Sequence, residues 1–600
     1  MSKTVTKLGP RIVPVTFGDC AGWLHPAAGK RAVILCGALN HEILPLYQSW
    51  HVLAGMIAEA GLPVLRFDYH GTGDSLGDDR DPSRVEAWLN SIEAAARFMR
   101  EEAGIETLDV VGIRLGATLA ALSAKRLGAE RLALIAPVLS GRTYLREAKV
   151  RSNMLAGMWR LGEADSAGGD LVSDGFVIRR ETAADISRLA LTSFDAAGLR
   201  EALLMPERQD AGIGKLACNL EQAGCPVTQK IFGGYATAVD SATLAHVPLD
   251  DWREVVRFLA KDLPAERRSP ALPKCAAPLS ARAFREERVV FGSTDRLAGV
   301  LCRPTTGRSG ATAIFVNTGG NPHLGWGRMS VAHARALAMR GVASLRMDIA
   351  GLGDATPLDR DPRAALYRKE SIADLSEALD LLEARGLQNF VLVGHCSGAW
   401  LALQGALADE RVSSLFAVNL PRFIWTGKEN LEALMAQAYR ATDSYLKEIG
   451  SGMVWRRMLK GDINWPRIPG IATSIVCRTA TRIGNRVWPI AAGIVGIETE
   501  SARVTKMLTR LAERGTRVRL VYSDADPGRD ELARHFGPSG RRLQMPNVGV
   551  AVIGNADHDI TSQAARAQYL ELLLEHLGCA ASARRVGASD ARTAAVAEAA

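Results

Sequence analysis

The sequence lacks the features that mark secreted, membrane-spanning and zinc-binding proteins. Its nine cysteines are an odd number and include no C-x-x-C pair, so neither a disulfide framework nor a metal site is indicated. Residues 1–15 contain no apolar core of signal-peptide length. No uncharged apolar run approaches the roughly 20 residues that span a bilayer, and the stretch at 489–497 is too short. We therefore expect a cytoplasmic protein without a transmembrane segment.

The charge pattern gives no sign of a nucleic-acid partner. The formal net charge is +8 over 600 residues, and the basic residues are widely spread and accompany no DNA- or RNA-binding motif, so they are typical of solvated surfaces. With 47% hydrophobic and 23% charged residues, the composition is that of a soluble globular protein. The length is enough for two to four domains.

One short motif occurs twice and differs at its central residue. It reads GIRLG at 112–116 and GHCSG at 394–398, in each case after an apolar run and before an Ala- and Leu-rich stretch. In the form G-x-nucleophile-x-G, such a strand-to-helix turn exposes the central side chain above a sheet. Arg114 stays protonated and cannot be a nucleophile, whereas Cys396 can.

The repeat extends beyond this motif. LRFDYHGTGDS at 65–75 returns as LRMDIAGLGDA at 345–355, which is 280 residues later, and the two glycine motifs are 282 residues apart (112 to 394). So long a period indicates duplicated domains rather than a solenoid. Within each copy, short apolar strands alternate with amphipathic helices, which predicts a mostly parallel sheet covered by helices.

These patterns predict the domain boundaries. We expect a first α/β domain at 1–261, a Pro- and Ala-rich linker at 262–282, a second α/β domain at 283–579 and a disordered tail at 580–600. An insertion at about 425–495 combines helical patches with a basic segment that contains several tryptophans. We interpret it as a helical cap over an active site. The alternatives are a plain pair of surface helices or a segment that contacts a membrane surface.

Four aspartates belong to the repeated segment. Asp68 and Asp74 in the first copy correspond to Asp348 and Asp354 in the second. Because the first copy has no nucleophile, their persistence predicts a role in the architecture of the turn rather than in catalysis.

Both halves resemble the α/β-hydrolase superfamily. The stretches LRFDYHGTGDSLGD and VVGIRLGATLA of the first half are similar to exosortase-A-system-associated hydrolases. The second half looks like the Hydrolase_4 or serine-aminopeptidase-S33-like grouping, with cysteine in place of serine, as in dienelactone hydrolase and polyhydroxyalkanoate synthase. The resemblance implies two tandem α/β-hydrolase domains, with the helical cap inserted in the second.

In the second half, Cys396 is the candidate nucleophile. Its place at a helix N-terminus favours the thiolate, although a buried cysteine can also be inert. Ser397 is one position out of frame, so only its backbone N–H is expected to contribute to an oxyanion hole. The second donor would come from the loop at 317–321, where Gly319 and Gly320 are the alternatives and a simple turn is the other interpretation.

A histidine and an acid follow in the chain order of this superfamily. His558 lies in a polar loop after the apolar run at 548–553, where we expect the general base. The turn after the preceding strand offers two carboxylates, and resemblance to an S-x-x-D-P-G form favours Asp526 over Asp524. An aspartate before Pro-Gly also suits an Asx-type turn.

The first half offers no such set. His246 is its candidate base, and with no nucleophile to activate, we expect that histidine to be structural. Arg114 could bind a carboxylate or phosphate, or could pair internally. We therefore predict a degenerate hydrolase domain that serves in binding or scaffolding.

The leading functional hypothesis is hydrolysis of an ester or thioester through an acyl-Cys396 intermediate, with a small-molecule or glycan-linked acyl substrate. Transfer of the acyl group to a sugar or polymer hydroxyl is the first alternative, and a non-catalytic binding module is the second. No motif indicates a metal or organic cofactor, and the sequence does not indicate an oligomeric state.

Overall fold

A computed structural model of the chain describes residues 12–159, 169–192, 194–263, 277–307, 310–356, 362–427 and 498–579. Almost all of the predicted cap, the middle of the predicted linker and the predicted tail lie outside these ranges. Within them the chain forms two large mixed sheets and one small hairpin. None of the helices in these ranges is long and apolar enough to cross a membrane.

The first sheet has eight strands in the order β1-β2-β4-β3-β5-β6-β9-β10. The strands at the β1 edge pair antiparallel, and from β4 onward all pairs are parallel. Its strands are β1 Val13–Phe17, β2 Cys20–His25, β3 Arg31–Cys36, β4 Val64–Phe67, β5 Thr107–Ile113, β6 Ala129–Ile135, β9 Glu201–Met205 and β10 Val227–Gln229, and the separate hairpin is β7 Leu171–Ser173 and β8 Phe176–Ile178.

The second sheet has nine strands in the order β11-β12-β13-β15-β14-β16-β17-β18-β19. It repeats the plan of the first, with antiparallel pairs up to β15 and parallel pairs beyond. Its strands are β11 Leu279–Ser280, β12 Phe284–Phe291, β13 Leu297–Pro304, β14 Thr312–Phe315, β15 Ala343–Asp348, β16 Phe390–His395, β17 Val412–Val418, β18 Arg517–Ser523 and β19 Val548–Ile553. The prediction of mostly parallel sheets is confirmed.

One described part of the predicted linker belongs to this sheet. β11 lies inside 262–282 and pairs with Glu286 and Arg285 of β12. Leu279 is buried, so the sheet begins earlier than we predicted. A strand of two residues is too short to produce a detectable alternation of apolar and polar residues.

Helices cover both faces of each sheet. They are α1 Ile43–Glu59, α2 Arg84–Glu101, α3 Leu115–Leu127, α4 Gly141–Trp159, α5 Arg180–Arg188, α6 Ala211–Gln222, α7 Tyr235–Ala238, α8 Leu249–Leu259, α9 Met329–Ala338, α10 Ser371–Ala384, α11 Ser397–Ala408, α12 Glu500–Glu513, α13 Gly528–Phe536 and α14 Gln563–His576. Along β3, Val33 and Leu35 join one apolar cluster with α1 and α8, whereas Ile34 joins another with α2 and α3. Successive strand residues point to opposite faces, so the central strands are apolar on both sides.

Two reciprocal ion pairs join the two halves. Arg66 of the first half binds Asp354 at 2.7 Å, and Arg346 of the second binds Asp74 at 2.7 Å. All four side chains are buried. Arg66 corresponds to Arg346 in the repeat and Asp74 to Asp354, so the same surface of each copy contacts the other, as at a two-fold interface.

The other aspartates of the repeat hold the turns. The N–H of Asp74 donates to Asp68 Oδ2, and that of Asp354 donates to Asp348 Oδ2, each at 2.9 Å. The glycine before each later aspartate has a positive φ and no room for a side chain, because a Cβ would meet this carboxylate. The prediction of turn architecture is therefore confirmed for Asp68 and Asp348, whereas the side chains of Asp74 and Asp354 join the two halves.

Candidate active site

Cys396 lies on a strained turn between β16 and α11. Its backbone has φ 53° and ψ −122°, a region that non-glycine residues rarely adopt. Its N–H donates to the carbonyl of Val418 at 2.9 Å. A Cβ at Gly394 would lie 2.2 Å from the carbonyl oxygen of Gly398, and one at Gly398 would lie 2.3 Å from that of Asn317. Both glycines of the motif are thus required for the turn to pack.

Arg114 has the same backbone conformation, with φ 55° and ψ −127°. Its guanidinium donates to Glu42 at 2.6 Å and to Glu147 at 3.0 Å, and lies 5.6 Å from the ring centre of Tyr235. Burial alone would lower its pKa, but these acids, chiefly Glu42, raise it. Arg114 therefore pairs internally. His246, the other candidate in this half, contacts a backbone carbonyl of its own loop at 2.8 Å.

His558 and Asp526 meet above the ends of two neighbouring parallel strands. His558 follows β19, Asp526 follows β18, and Nδ1 of the histidine lies 2.5 Å from Oδ2 of the acid. The other oxygen of Asp526 accepts the N–H of Gly528 at 2.7 Å, at the start of α13. Asp524 instead accepts the backbone N–H groups of Asn555 and Ala556 at 3.0 and 3.3 Å. One carboxylate therefore contacts the histidine, and the other holds the loop that carries it.

Two polar side chains fix the backbone of this loop. The carbonyl of His558 accepts from His395 Nε2 at 2.6 Å and from Asn419 Nδ2 at 2.8 Å. Asn419 Nδ2 also lies 3.0 Å from Ser523 Oγ, and its Oδ1 accepts the N–H of Ser523 at 2.7 Å. Burial lowers the pKa of His395 to about 3, so its ring is neutral near pH 7. Sequence reasoning did not identify His395, Asn419 or Ser523. Asn419 and Ser523 lie at the carboxyl ends of β17 and β18, and functional side chains of such sheets often lie at these strand ends.

The charge of His558 depends on its two neighbours. Burial by itself would lower its pKa. The negative charge of Cys396 and that of Asp526, together with hydrogen bonds to both, raise the pKa well above its ordinary value instead. The arrangement therefore favours the protonated imidazole of His558.

The loop after β14 lies beside the turn of Cys396. The N–H of Gly319, whose φ is 54°, donates to Ser397 Oγ at 2.9 Å. The N–H of Gly320 donates to Thr243 Oγ1 of the first half at 2.9 Å. Gly319 therefore faces the turn of Cys396, whereas Gly320 faces the other half of the protein.

An aromatic group lines a small pocket at this point. Gly319, Ser397, Tyr367 and Trp400 line this pocket, which is partly open to solvent. The ring of Tyr367 stacks on Trp425 with 3.9 Å between centres and meets Trp400 edge-on at 5.3 Å. Burial and the charge of Cys396 both raise the pKa of Tyr367. Sequence reasoning did not identify Tyr367, because the residues around it form no recognisable motif.

Two clusters in the described ranges bring His and acidic ligand atoms within 4.8 Å of one another, namely His323, Asp348 and Asp354, and Glu500, Glu531 and His535. Protein donors already bind their carboxylates. Asp348 accepts from Asn317 and from the N–H of His323, and Asp354 pairs with Arg66. In the second cluster, Glu531 pairs with Arg422. Both sets thus function as ion-pair networks of the protein itself.

Residues 313–572 match the model of the Alpha/beta hydrolase family. The C-terminal region is similar to this family. The match extends from β14 to α14 and includes the turn of Cys396, the acid turn and the histidine loop. No curated protein matches the chain.

Similar solved structures include hydrolases of several kinds. A Pyrococcus furiosus esterase is 15% identical with a TM-score of 0.30, over 49% of this chain and 91% of its own. The esterase EstE5 is 17% identical with a TM-score of 0.28, over 42% and 84%. A proline iminopeptidase from Mycobacterium smegmatis is 16% identical with a TM-score of 0.27, over 42% and 97%.

Proposed function

We propose that this α/β hydrolase cleaves a carboxylic ester or thioester through an acyl-Cys396 intermediate, in the second of two tandem domains. The contact that carries this proposal is His558 Nδ1 on Asp526 Oδ2, with Cys396 on the strained turn beside the same histidine. In this proposal Cys396 is the nucleophile, His558 the base and Asp526 the orienting acid. In the first half, Arg114 bound to Glu42 occupies the equivalent position, so we infer that this half is a degenerate hydrolase domain.

Acylation begins from the thiolate–imidazolium pair. The sulfur of Cys396 attacks the carbonyl carbon, a C–S bond forms, and the carbonyl oxygen becomes an oxyanion. When the tetrahedral intermediate collapses, its bond to the leaving alcohol or thiol breaks, and His558 gives that group its proton. The products are an acyl-thioester and a neutral imidazole held by Asp526.

Deacylation reverses the proton movement. The neutral His558 takes a proton from water as the water oxygen attacks the thioester carbonyl. Collapse breaks the C–S bond, releases the carboxylic acid and restores the thiolate of Cys396 beside the imidazolium. No external oxidant or cofactor is needed, since the sum of both steps is addition of water across the acyl bond.

The oxyanion is held by the N–H groups of Ser397 and Gly319. The Gly319 N–H now donates to the hydroxyl of Ser397, and the substrate oxygen would replace that hydroxyl as acceptor. Gly320 is less suitable, because Thr243 accepts its N–H. Of the two glycines, we therefore choose Gly319 as the donor.

The pocket beside Tyr367 and Trp400 suits the apolar part of the acyl group. Both rings border the wall that also contains Ser397, so an acyl chain that extends from the sulfur would pack on aromatic surface.

The test compares intact protein with a Cys396→Ala variant. We expect release of p-nitrophenol from short-chain p-nitrophenyl esters, one acyl group on the protein by intact mass, and fast alkylation by iodoacetamide at Cys396. All three should be lost in Cys396→Ala and unchanged in Cys218→Ala, which removes an exposed thiol. Alkylation of Cys396 no faster than of Cys218, with no ester cleavage, would leave a binding module as the better account.

The same experiment separates hydrolysis from transfer. A hydrolase turns over many equivalents of ester in water alone. A transferase acting on a sugar or polymer hydroxyl would stop after one acyl group and resume only when such an acceptor is added. Both outcomes share the acylation step at Cys396.

A further inference from the structure

Part of the first half lies against the loop that provides Gly319. The hydroxyl of Thr243 accepts the N–H of Gly320 at 2.9 Å. A Cβ at Gly319 would lie 2.5 Å from this hydroxyl, and one at Gly320 would lie 2.2 Å from the carbonyl oxygen of Ala242. The two glycines are therefore needed partly because the other half of the protein approaches their backbone so closely.

The segment that carries Thr243 is itself anchored across the two halves. Ala242 is buried in a small apolar cluster with Leu44 and Phe176 of the first half, and Trp326 of the second half packs against it. The hydroxyl of Thr243 is thus held at a defined position rather than on a free loop. Apolar contacts of this kind exclude water from the hydrogen bond beside them.

The first half also contacts the helix that follows the loop of His558. Arg566 of α14 donates to the carbonyl of Gly175 in the turn between β7 and β8 at 3.0 Å, and to that of Gly327 at 2.9 Å. Arg80 donates to Gln563, also of α14, at 3.0 Å. The oxyanion loop of the second half and the helix after its histidine loop both contact the first half.

We propose that Thr243 is a positioning residue for the active site of the second half, and that the first half completes that site. Its hydroxyl holds Gly320, and through Gly320 it holds the N–H of Gly319 toward the carbonyl oxygen of the substrate. This inference rests on the proposed function. It gives the first half a role in the chemistry of the second, although Arg114 excludes chemistry of its own.

The physical reason is the flexibility of consecutive glycines. Gly319 has a φ of 54°, and glycine samples both signs of φ with little cost. An oxyanion donor is effective only when it is fixed before the reaction begins. A donor that moves by about 1 Å can lower a rate by about 10²-fold.

The test uses Thr243→Val, which keeps the shape of the side chain and removes the acceptor. Two rates are measured at Cys396, namely single-turnover acylation by p-nitrophenyl acetate and alkylation by iodoacetamide. Acylation creates an oxyanion and alkylation does not. We expect acylation to slow by about 10- to 100-fold while alkylation stays at the wild-type rate. Thr243→Ser, which keeps the hydroxyl, should restore acylation.

Thr237→Val is the matched control. Its hydroxyl is exposed and donates to the carbonyl of Gly234 within the first half, so both rates should be unchanged. Should Thr243→Val not fold, Thr243→Ala provides the same comparison. If the folded variant is acylated at the wild-type rate, or if acylation and alkylation slow equally, this inference is wrong and the proposed function is unaffected. Failure of the wild-type protein to become acylated overturns the proposed function together with it.

Discussion

Asp526→Asn should shift the pH range in which this protein reacts. The carboxylate lies 2.5 Å from His558 Nδ1 and accepts the N–H of Gly528 through its other oxygen. Asparagine has nearly the same shape and can still accept the N–H of Gly528. The substitution therefore removes a negative charge beside the imidazolium and leaves the turn in place.

The magnitude follows from the distance. Two unit charges about 4 Å apart at an effective dielectric constant of about 20 interact by about 4 kcal/mol, which is an upper limit of about 3 pKa units. Opposite charges at such distances shift pKa values by about 1–3 units. Asp526 raises the pKa of His558, so its loss lowers that pKa. The thiolate–imidazolium pair exists only below this pKa, and the alkaline limit of activity should fall by about 1–3 pH units.

The maximal rate of ester cleavage by Asp526→Asn should also fall. Without the carboxylate, His558 is neither oriented nor held as an imidazolium, and loss of such an acid lowers turnover by about 10²- to 10⁴-fold in comparable triads. The assays are the pH dependence of kcat/KM for p-nitrophenyl acetate and that of iodoacetamide alkylation at Cys396. The second reports the fraction of thiolate, which at low and neutral pH depends on the imidazolium beside it.

Asp524→Asn is the control in the same turn. Asp524 accepts the N–H groups of Asn555 and Ala556 and does not contact the histidine in the structure. This variant should change the stability of the loop and leave the alkaline limit unchanged. If the limit of Asp526→Asn stays within about half a pH unit of the wild type, far less than one charge contact should produce, then Asp526 does not act on His558.

Two further predictions concern the interface and the histidine loop. Arg346→Met should lower the free energy of unfolding by about 3–5 kcal/mol, because Asp74 and Glu286 would each lose a buried cationic partner, whereas Arg385→Met, which removes an exposed ion pair, should cost less than about 1 kcal/mol. Equal losses in a denaturant titration would contradict this difference. Asn419→Ala should lower kcat about tenfold or more with little change in the alkylation pH profile, because the carbonyl of His558 loses a donor while Asp526 remains. An unchanged kcat would show that the loop does not need this support.

The local parts of the fold were predictable from the sequence. The run at 548–553 matches β19 in both bounds, and β5 and β16 extend the apolar runs that precede each glycine motif. The reason is that buried parallel strands require consecutive apolar residues, and the turn after them requires glycines where backbones touch. Both requirements apply to neighbours in the chain, so they can be read without knowing the rest of the structure.

The parts that depend on distant neighbours were not predictable. Thr243 is an ordinary loop threonine until Gly320 of the other half lies against it. The aspartates of the repeat suggested turns, and only the structure showed that Asp74 and Asp354 bind arginines of the opposite copy. Arg114 left two alternatives open, and its contact with Glu42 selected internal pairing.

For this protein, residue order alone established the repeat, predicted the α/β class and placed a cysteine in one of two equivalent turns. These follow from spacing, which is a property of the chain itself. Tertiary structure alone decided which acid faces His558, which glycine faces Cys396 and how the first half contacts the second. These are distances of about 3 Å between residues far apart in the chain, and only the packing of the two sheets brings them together.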